Sequence, residues 1–382
     1  MTRFEFVLAG AVLRLLGWIF SLLPIVADRV VLASPRTTRL EGNLRHIHDA
    51  LRARHPAIRP IVLVEPYAYG LRGKIAYFAR MIRGMYYLRT ARLFVVDNAY
   101  LPIHVAPHRA GTRVVQVWHA ASAIKRFGLD TVRPPAEPER TFLHRYYDNV
   151  IVSAEAVRPV YARSLRTPLD RVLPLGTPRT DFFFDEAAMA EARARLLAAH
   201  PALAGRKVVV HAPTLRGRGR AKSSAASLDP VELRSRLPAE YALVLKLHPN
   251  IAASALPPDG FDVLVEPTDE MNPLLALTDI LITDYSSAVF EFALVRRPII
   301  LLLGDLDEYA RDPGVCIDLA TEMVGAQVTD TDGVADAILA DRFDLSGYDA
   351  FLARHMDACD GRASARFVDY FEPDLTGAST RS

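Results

Sequence analysis

Short, largely β-branched apolar runs recur along the chain, each ending in a polar or Gly/Pro-bearing loop and separated from the next by a longer helix-patterned stretch. A run this short and this continuous suits a strand buried on both faces, and strands alternating with helices make a parallel sheet with its crossovers packed on either side. The first set is Arg29–Leu32, Pro60–Val64, Leu93–Asp97, Thr112–Val117 and Asn149–Val152, and the rhythm restarts at Lys207–His211, Ala242–Leu247, Val263–Val265, Ile280–Thr283 and Ile299–Leu302. Two sets predict an α/β chain of two Rossmann-like, doubly wound domains facing a cleft, over residues 29–180 and 181–345, with Leu173–Asp185 as the passage between them. Residues 1–28 precede them as an apolar helix, and 346–382 form a C-terminal helix and tail.

The charge is unevenly divided. Residues 1–180 hold 27 Lys and Arg against 12 Asp and Glu, and residues 181–382 hold 19 against 32. A basic N-terminal half is built to face something anionic: a membrane surface, a phosphorylated substrate or a nucleic acid. Residues 6–26 are strongly apolar but carry Arg14 and Pro24, which suits an interfacial or packed helix better than a spanning one. From Glu65 to Asp97 no acidic residue intervenes, while Arg72, Lys74, Arg80, Arg83, Arg89 and Arg92 interleave with Tyr69, Tyr77, Phe78, Tyr86 and Tyr87. That mixture fits an anionic membrane surface, headgroups outside and aromatic rings below. No RNP, zinc-finger or KH-type signature supports a nucleic-acid partner. Cys316 and Cys359 are too few and too far apart for a disulfide framework or a zinc site, so a reducing, cytoplasmic setting is expected.

In open parallel sheets ligands bind beyond the carboxyl ends of the strands, so the residues just after each apolar run are the candidates for chemistry. Ile280–Thr283 runs into Asp284, Ser286 and Ser287 and then a helix, an arrangement of hydroxyls and main-chain N–H groups suited to phosphate. Lys246 and His248 end another strand, a cation and a proton donor for a leaving diphosphate. Thr214 and Arg216 follow a third, before the polar loop Gly217–Ser224, which is expected to be mobile. In the first half a strand ends at His119, a base matched to neutral pH, with Lys125 and Arg126 shortly after it. Arg179 sits in a Gly/Pro turn at the expected domain junction. No GxGxxG, Walker A, GxSxG or HExxH pattern occurs, which sets aside dehydrogenase, ATPase, serine-hydrolase and zincin chemistry.

Six stretches in order, VQVWHA followed by KRFG, LGTPRTD, APTLR, KLHP, TDYSSAVFEFALVRRPII and DLDEYARDPG, make the chain resemble the CDP-glycerol glycerophosphotransferase family of teichoic acid and capsule polymer synthesis, its short primase-type members included. The resemblance spans about Val30 to Leu319; Ala120 and Ala121 stand where many members have Gly-Thr, and Thr177 stands where the turn usually has Asn. It implies a GT-B fold, with CDP-glycerol held by the C-terminal domain and a membrane-bound, lipid-linked acceptor approached from the N-terminal one. It implies catalytic roles for His119 and His248. Donor contacts fall on Thr214, Arg216, Lys246, Asp284, Ser286, Ser287 and Glu291, and acceptor or interdomain contacts on Lys125, Arg126 and Arg179. The implied reaction moves glycerol phosphate to an acceptor hydroxyl and releases CMP, with no cofactor and no metal. The enzyme would be peripheral on the cytoplasmic face of the plasma membrane, with room for a homo-oligomer. The alternatives are CDP-ribitol or a nucleotide sugar as donor, or a non-catalytic membrane-associated scaffold on the same fold.

Overall fold

The strand rhythm is realised as two six-stranded parallel sheets. The computed structural model describes residues 3–64, 66, 70–131, 144–216, 223–224, 228–247, 259–266, 269–311 and 314–376. The chain divides into two compact units: the first comprises residues 1–121, 126–181 and 357–382, and the second residues 122–125 and 182–356. The C-terminal stretch expected from residue 346 therefore parts at 356/357, and its last helix, Ala363–Thr376, belongs with the first unit.

In the first unit the strands are β1 (Val26–Ser34), β2 (Ile61–Val64), β3 (Ala91–Val96), β4 (Arg113–Gln116), β5 (Asn149–Ile151) and β6 (Val172–Leu173), ordered β2-β1-β3-β4-β5-β6. Strand order reverses between β1 and β3, which places a ligand crevice at their carboxyl ends. Along β1, Val30 to Ala33 are almost wholly buried on both faces, as a central parallel strand requires. Helix α2 (Gly42–Arg54) lays Leu44, Ile47 and Leu51 on the sheet at helical spacing, and Phe367 and Phe371 of the last helix join the same core. Two details differ from the sequence expectation. Val26–Asp28, grouped there with the N-terminal helix, open β1, because Val26 pairs with Ala91 of β3. Leu173, grouped with the interdomain passage, ends β6, paired with Ile151.

Helix α1 (Arg3–Phe20) packs on α3 (Gly70–Thr90), with the rings of Phe20 and Tyr86 edge to face at 5.6 Å. Leu13 is fully buried beneath α1, whereas Trp18 is 67% exposed, with Leu8, Leu15 and Leu22 also turned outward. Among the described residues no helix is long and apolar enough to cross a membrane.

The second unit has β7 (Lys207–Ala212), a short antiparallel pair of β8 (Leu215–Arg216) and β9 (Ser223–Ser224), then β10 (Tyr241–Lys246), β11 (Val263–Val265), β12 (Ile280–Thr283), β13 (Ile299–Leu302) and β14 (Ala326–Val328). Its sheet order, β11-β10-β7-β12-β13-β14, is that of a dinucleotide-type doubly wound fold, with the reversal between β7 and β12. Val209, Leu243, Ile282 and Ile300 from four adjacent strands pack against Val334 and Ile338 of the helix Thr331–Ala340.

Candidate active site

At the reversal point of the second sheet, two residues singled out in the sequence meet. Asp284 follows β12 and is 4% exposed; Thr214 follows β7 and is 5% exposed. The Thr214 N–H donates to both carboxylate oxygens, at 3.0 Å to Oδ1 and 3.2 Å to Oδ2, its hydroxyl donates to Oδ2 at 3.0 Å, and the Tyr285 N–H donates to Oδ1 at 2.8 Å. A second strut lies just below, where the Thr283 hydroxyl donates to the Ala212 carbonyl at 2.6 Å. Tyr285 is fully buried, stacks on Tyr309 with ring centroids 3.7 Å apart, and donates its hydroxyl to Asp305 at 3.0 Å. The late sequence stretch beginning at Asp305 thus braces the loop that carries the serine pair.

Ser286 and Ser287 are half-buried at the start of the helix Ala288–Ala293. The Ser286 hydroxyl accepts from the Ala288 N–H at 3.2 Å, while Ser287 occupies the cap position without a side-chain capping bond to the helix. Glu291 is buried one turn in, at 2% exposure. Lys246 ends β10 at 5% exposure, and its ammonium donates to the Glu266 carbonyl at 2.7 Å. A cation so buried is a fixed charge in a region of weak screening. His211, in β7, lies parallel to the Phe261 ring at a centroid separation of 6.3 Å, and burial pushes its imidazole down to about 4. The Arg216 main chain lies in β8. His248 and most of the Gly217–Ser224 loop lie outside the described residues.

In the first unit His119 comes two residues after Val117 leaves the sheet beside β3. Between them Trp118 has a φ of 49°, a left-handed conformation uncommon for a bulky side chain, and it turns the chain off the strand. Its N–H donates to the Gln116 Oε1 at 2.8 Å, and Gln116 is itself held by donating to the Asn98 carbonyl at 3.1 Å and to the Tyr147 hydroxyl at 3.0 Å. The Trp118 ring packs at 4.5 Å from His119, 5.2 Å from Phe127 and 5.7 Å from His144. Arg179 donates from Nη1 to the His119 carbonyl at 2.7 Å, so the structure joins these two residues within one unit. Arg126 is exposed in that unit. Lys125 is exposed too, but it belongs to the second unit, where it pairs with Val315 as an isolated antiparallel bridge and the Cys316 N–H donates to the Ile124 carbonyl at 2.7 Å.

Two residues at the carboxyl edge of the first sheet escaped the sequence reading. Asp97 follows β3 at the reversal point; desolvation pushes its carboxyl above the ordinary range, against hydrogen bonds from Ser34 and Asn98 and the charge of Arg36. Asn43, buried in the first turn of α2, reaches the main chain on both sides of the Trp118 turn. The strand-order reversal would have found the first, but nothing in a lone sequence marks the second. Among the described residues no group of three or more His, Cys, Asp or Glu could hold a metal ion.

Comparison with known proteins gives a consistent neighbourhood. The family model of CDP-glycerol:poly(glycerophosphate) glycerophosphotransferase matches residues 16–372. A teichoic acid ribitol-phosphate primase from Bacillus spizizenii is 32% identical over 389 residues, covering 99% of each chain. A teichoic acid glycerol-phosphate primase from Bacillus subtilis is 26% identical over 299 residues, covering 76% of each. Among solved structures, the wall teichoic acid polymerase TagF superposes with a TM-score of 0.75 at 21% identity over 98% of both chains, so the chain shares its fold.

Proposed function

Because the chain belongs to the CDP-glycerol:poly(glycerophosphate) glycerophosphotransferase family, and is a phosphotransferase of that kind, we propose that it moves glycerol phosphate from CDP-glycerol to a hydroxyl of a lipid-linked acceptor in the synthesis of teichoic acid or a related cell-surface polymer. His119 takes the proton of the acceptor hydroxyl, whose oxygen attacks the β-phosphorus; the bond from that phosphorus to the bridging oxygen breaks, and CMP leaves. Such a transfer depends on positioning and on fixed positive charge where negative charge grows. Lys246 supplies a buried cation in the donor unit, His248 and Arg216 are assigned to the phosphate of the departing CMP, and the Ser286–Ser287 loop to the glycerol phosphate. Asp284 and Thr214 hold those loops in place, and Glu291 is assigned to the donor side. Arg179 bears on the base, and Lys125 and Arg126 are assigned to the acceptor side. No cofactor or metal has a part in this scheme.

The single observation that carries this reading is the match of residues 16–372 to the CDP-glycerol:poly(glycerophosphate) glycerophosphotransferase model. A different observation favours a second donor, CDP-ribitol: the ribitol-phosphate primase is the more similar of the two primases described above.

The enzyme works as a peripheral protein on an anionic bilayer at the cytoplasmic face. Support comes from the outward apolar side chains of α1, from Leu71 and Ile75 exposed on α3, and from the run of cations along α3. The test is CMP release by the purified full chain with a lipid-linked disaccharide acceptor, offering CDP-glycerol, CDP-ribitol and a nucleotide sugar in turn. Acceptor-dependent CMP from CDP-glycerol above the others is the expected result. CMP from CDP-ribitol alone establishes the second reading, and turnover of neither CDP-polyol overturns both.

A further inference from the structure

We propose that Asn43 is a positioning residue which fixes His119 through the main chain around it, an inference that rests on His119 being the base. Asn43 is 3% exposed and lies in the first turn of α2, two residues after the cap position Glu41. The cap residue of that end, Glu41, makes no side-chain capping bond to it. The Asn43 carboxamide is directed instead at two remote segments: Nδ2 donates to the Trp118 carbonyl at 2.9 Å and the Val117 carbonyl at 3.3 Å, and Oδ1 accepts from the Arg179 N–H at 3.1 Å. Arg179 closes the circuit by donating to the His119 carbonyl at 2.7 Å.

Three of the carbonyls that these bonds hold belong to His119 and the two residues before it. Val117 and Trp118 precede it, its own carbonyl is clamped, and the Trp118 N–H is tied to Gln116 at 2.8 Å. The left-handed turn at Trp118 aims His119 off the strand, and a bulky residue holds that conformation only where its surroundings over-determine it. Asn43 holds the carbonyls of both Val117 and Trp118 at the turn. Its chemistry is hard to replace: a carboxylate of the same size would set an oxygen against two carbonyl oxygens, and a hydroxyl cannot span the three partners. The expected role is geometric, since a displaced base loses rate while the donor, held elsewhere, still binds.

The experiment uses the full chain with its histidines labelled with carbon-13, eleven in all, the His119 resonance being assigned by its loss in His119→Ala. In Asn43→Asp the His119 resonance and its titration midpoint move. In the acceptor-dependent CMP assay kcat falls by about tenfold or more while donor KM stays within about twofold. Asn43→Ser, smaller and uncharged, carries the same test if the aspartate variant does not fold. An unmoved His119 resonance, or kcat unchanged from wild type, overturns the inference. Wild-type protein that releases no CMP defeats the functional reading but leaves the resonance measurement to decide the role of Asn43.

Discussion

The Thr214 hydroxyl lies 3.0 Å from Oδ2 of Asp284, and the Thr214 N–H lies 3.0 Å from Oδ1. The carboxylate after β12 is therefore engaged with the loop after β7 and ties the two loops together. Replacing Asp284 by Asn puts an NH2 donor in place of one accepting carboxylate oxygen, against N–H and O–H donors that then lack an acceptor. The expected cost is about 2–4 kcal/mol, since hydrogen bonds to a charged group contribute about 1.5–3 kcal/mol and the partners stay buried. Thr214→Val, which removes the hydroxyl alone, is expected to cost about 1.5 kcal/mol. Urea unfolding measures both, and donor KM should rise in the same order as stability falls.

Acid weakens the fold through buried histidines. Burial pushes His104 down to about 3, and His144 and His211 down to about 4, with a further lowering of His104 by His144 and of His144 by Arg166. The unfolded chain binds these protons near pH 6.5 and the folded chain does not, so their stabilisation is complete above about 6.5 and is lost as pH falls toward about 4. The slope is at most about 1.4 kcal/mol per pH unit for each histidine. Urea midpoints taken from about pH 7 down to about pH 5 should fall steadily, and His211→Asn should flatten that fall. A midpoint constant over the interval would contradict the assignment of neutral, buried imidazoles.

Membrane attachment is expected to depend on side chains that the fold leaves outside. Leu15 is 60%, Trp18 67% and Leu22 75% exposed. Together they offer an apolar face whose insertion contributes about 0.8 kcal/mol for each buried methylene. The combined change Leu15→Ser, Trp18→Ser and Leu22→Ser should release the protein from vesicles of mixed zwitterionic and anionic lipid in a sedimentation assay. Its thermal midpoint should change little, because none of the three is buried. Equal retention of wild type and variant would remove α1 from the contact.

The alternation of apolar runs was enough to place nearly every strand because a buried parallel strand has to be continuously apolar, as Val30 to Ala33 are. It did not reveal β6, only two residues long and paired with β5, or β14, whose residues are part-exposed at a sheet edge. In the site, Thr214 and Asp284 were legible singly, as polar residues after strands, but not as partners: a contact 70 residues apart in sequence depends on strand order. Lys125 was grouped with the first half by proximity to His119, while the structure pairs it with Val315. Asn43 was silent because its partners lie 74 to 136 residues away and its local sequence reads as an ordinary helix start.

The most direct test of the central claim is acceptor-dependent CMP release by wild type and by His119→Ala, with donor affinity measured on the same preparations by calorimetry. Turnover should fall by about a hundredfold or more, the range that loss of a general base commands, while donor affinity stays within about threefold. Turnover of His119→Ala at the wild-type rate, or a loss of donor affinity as large as the loss of turnover, would contradict the assignment of His119 as the base.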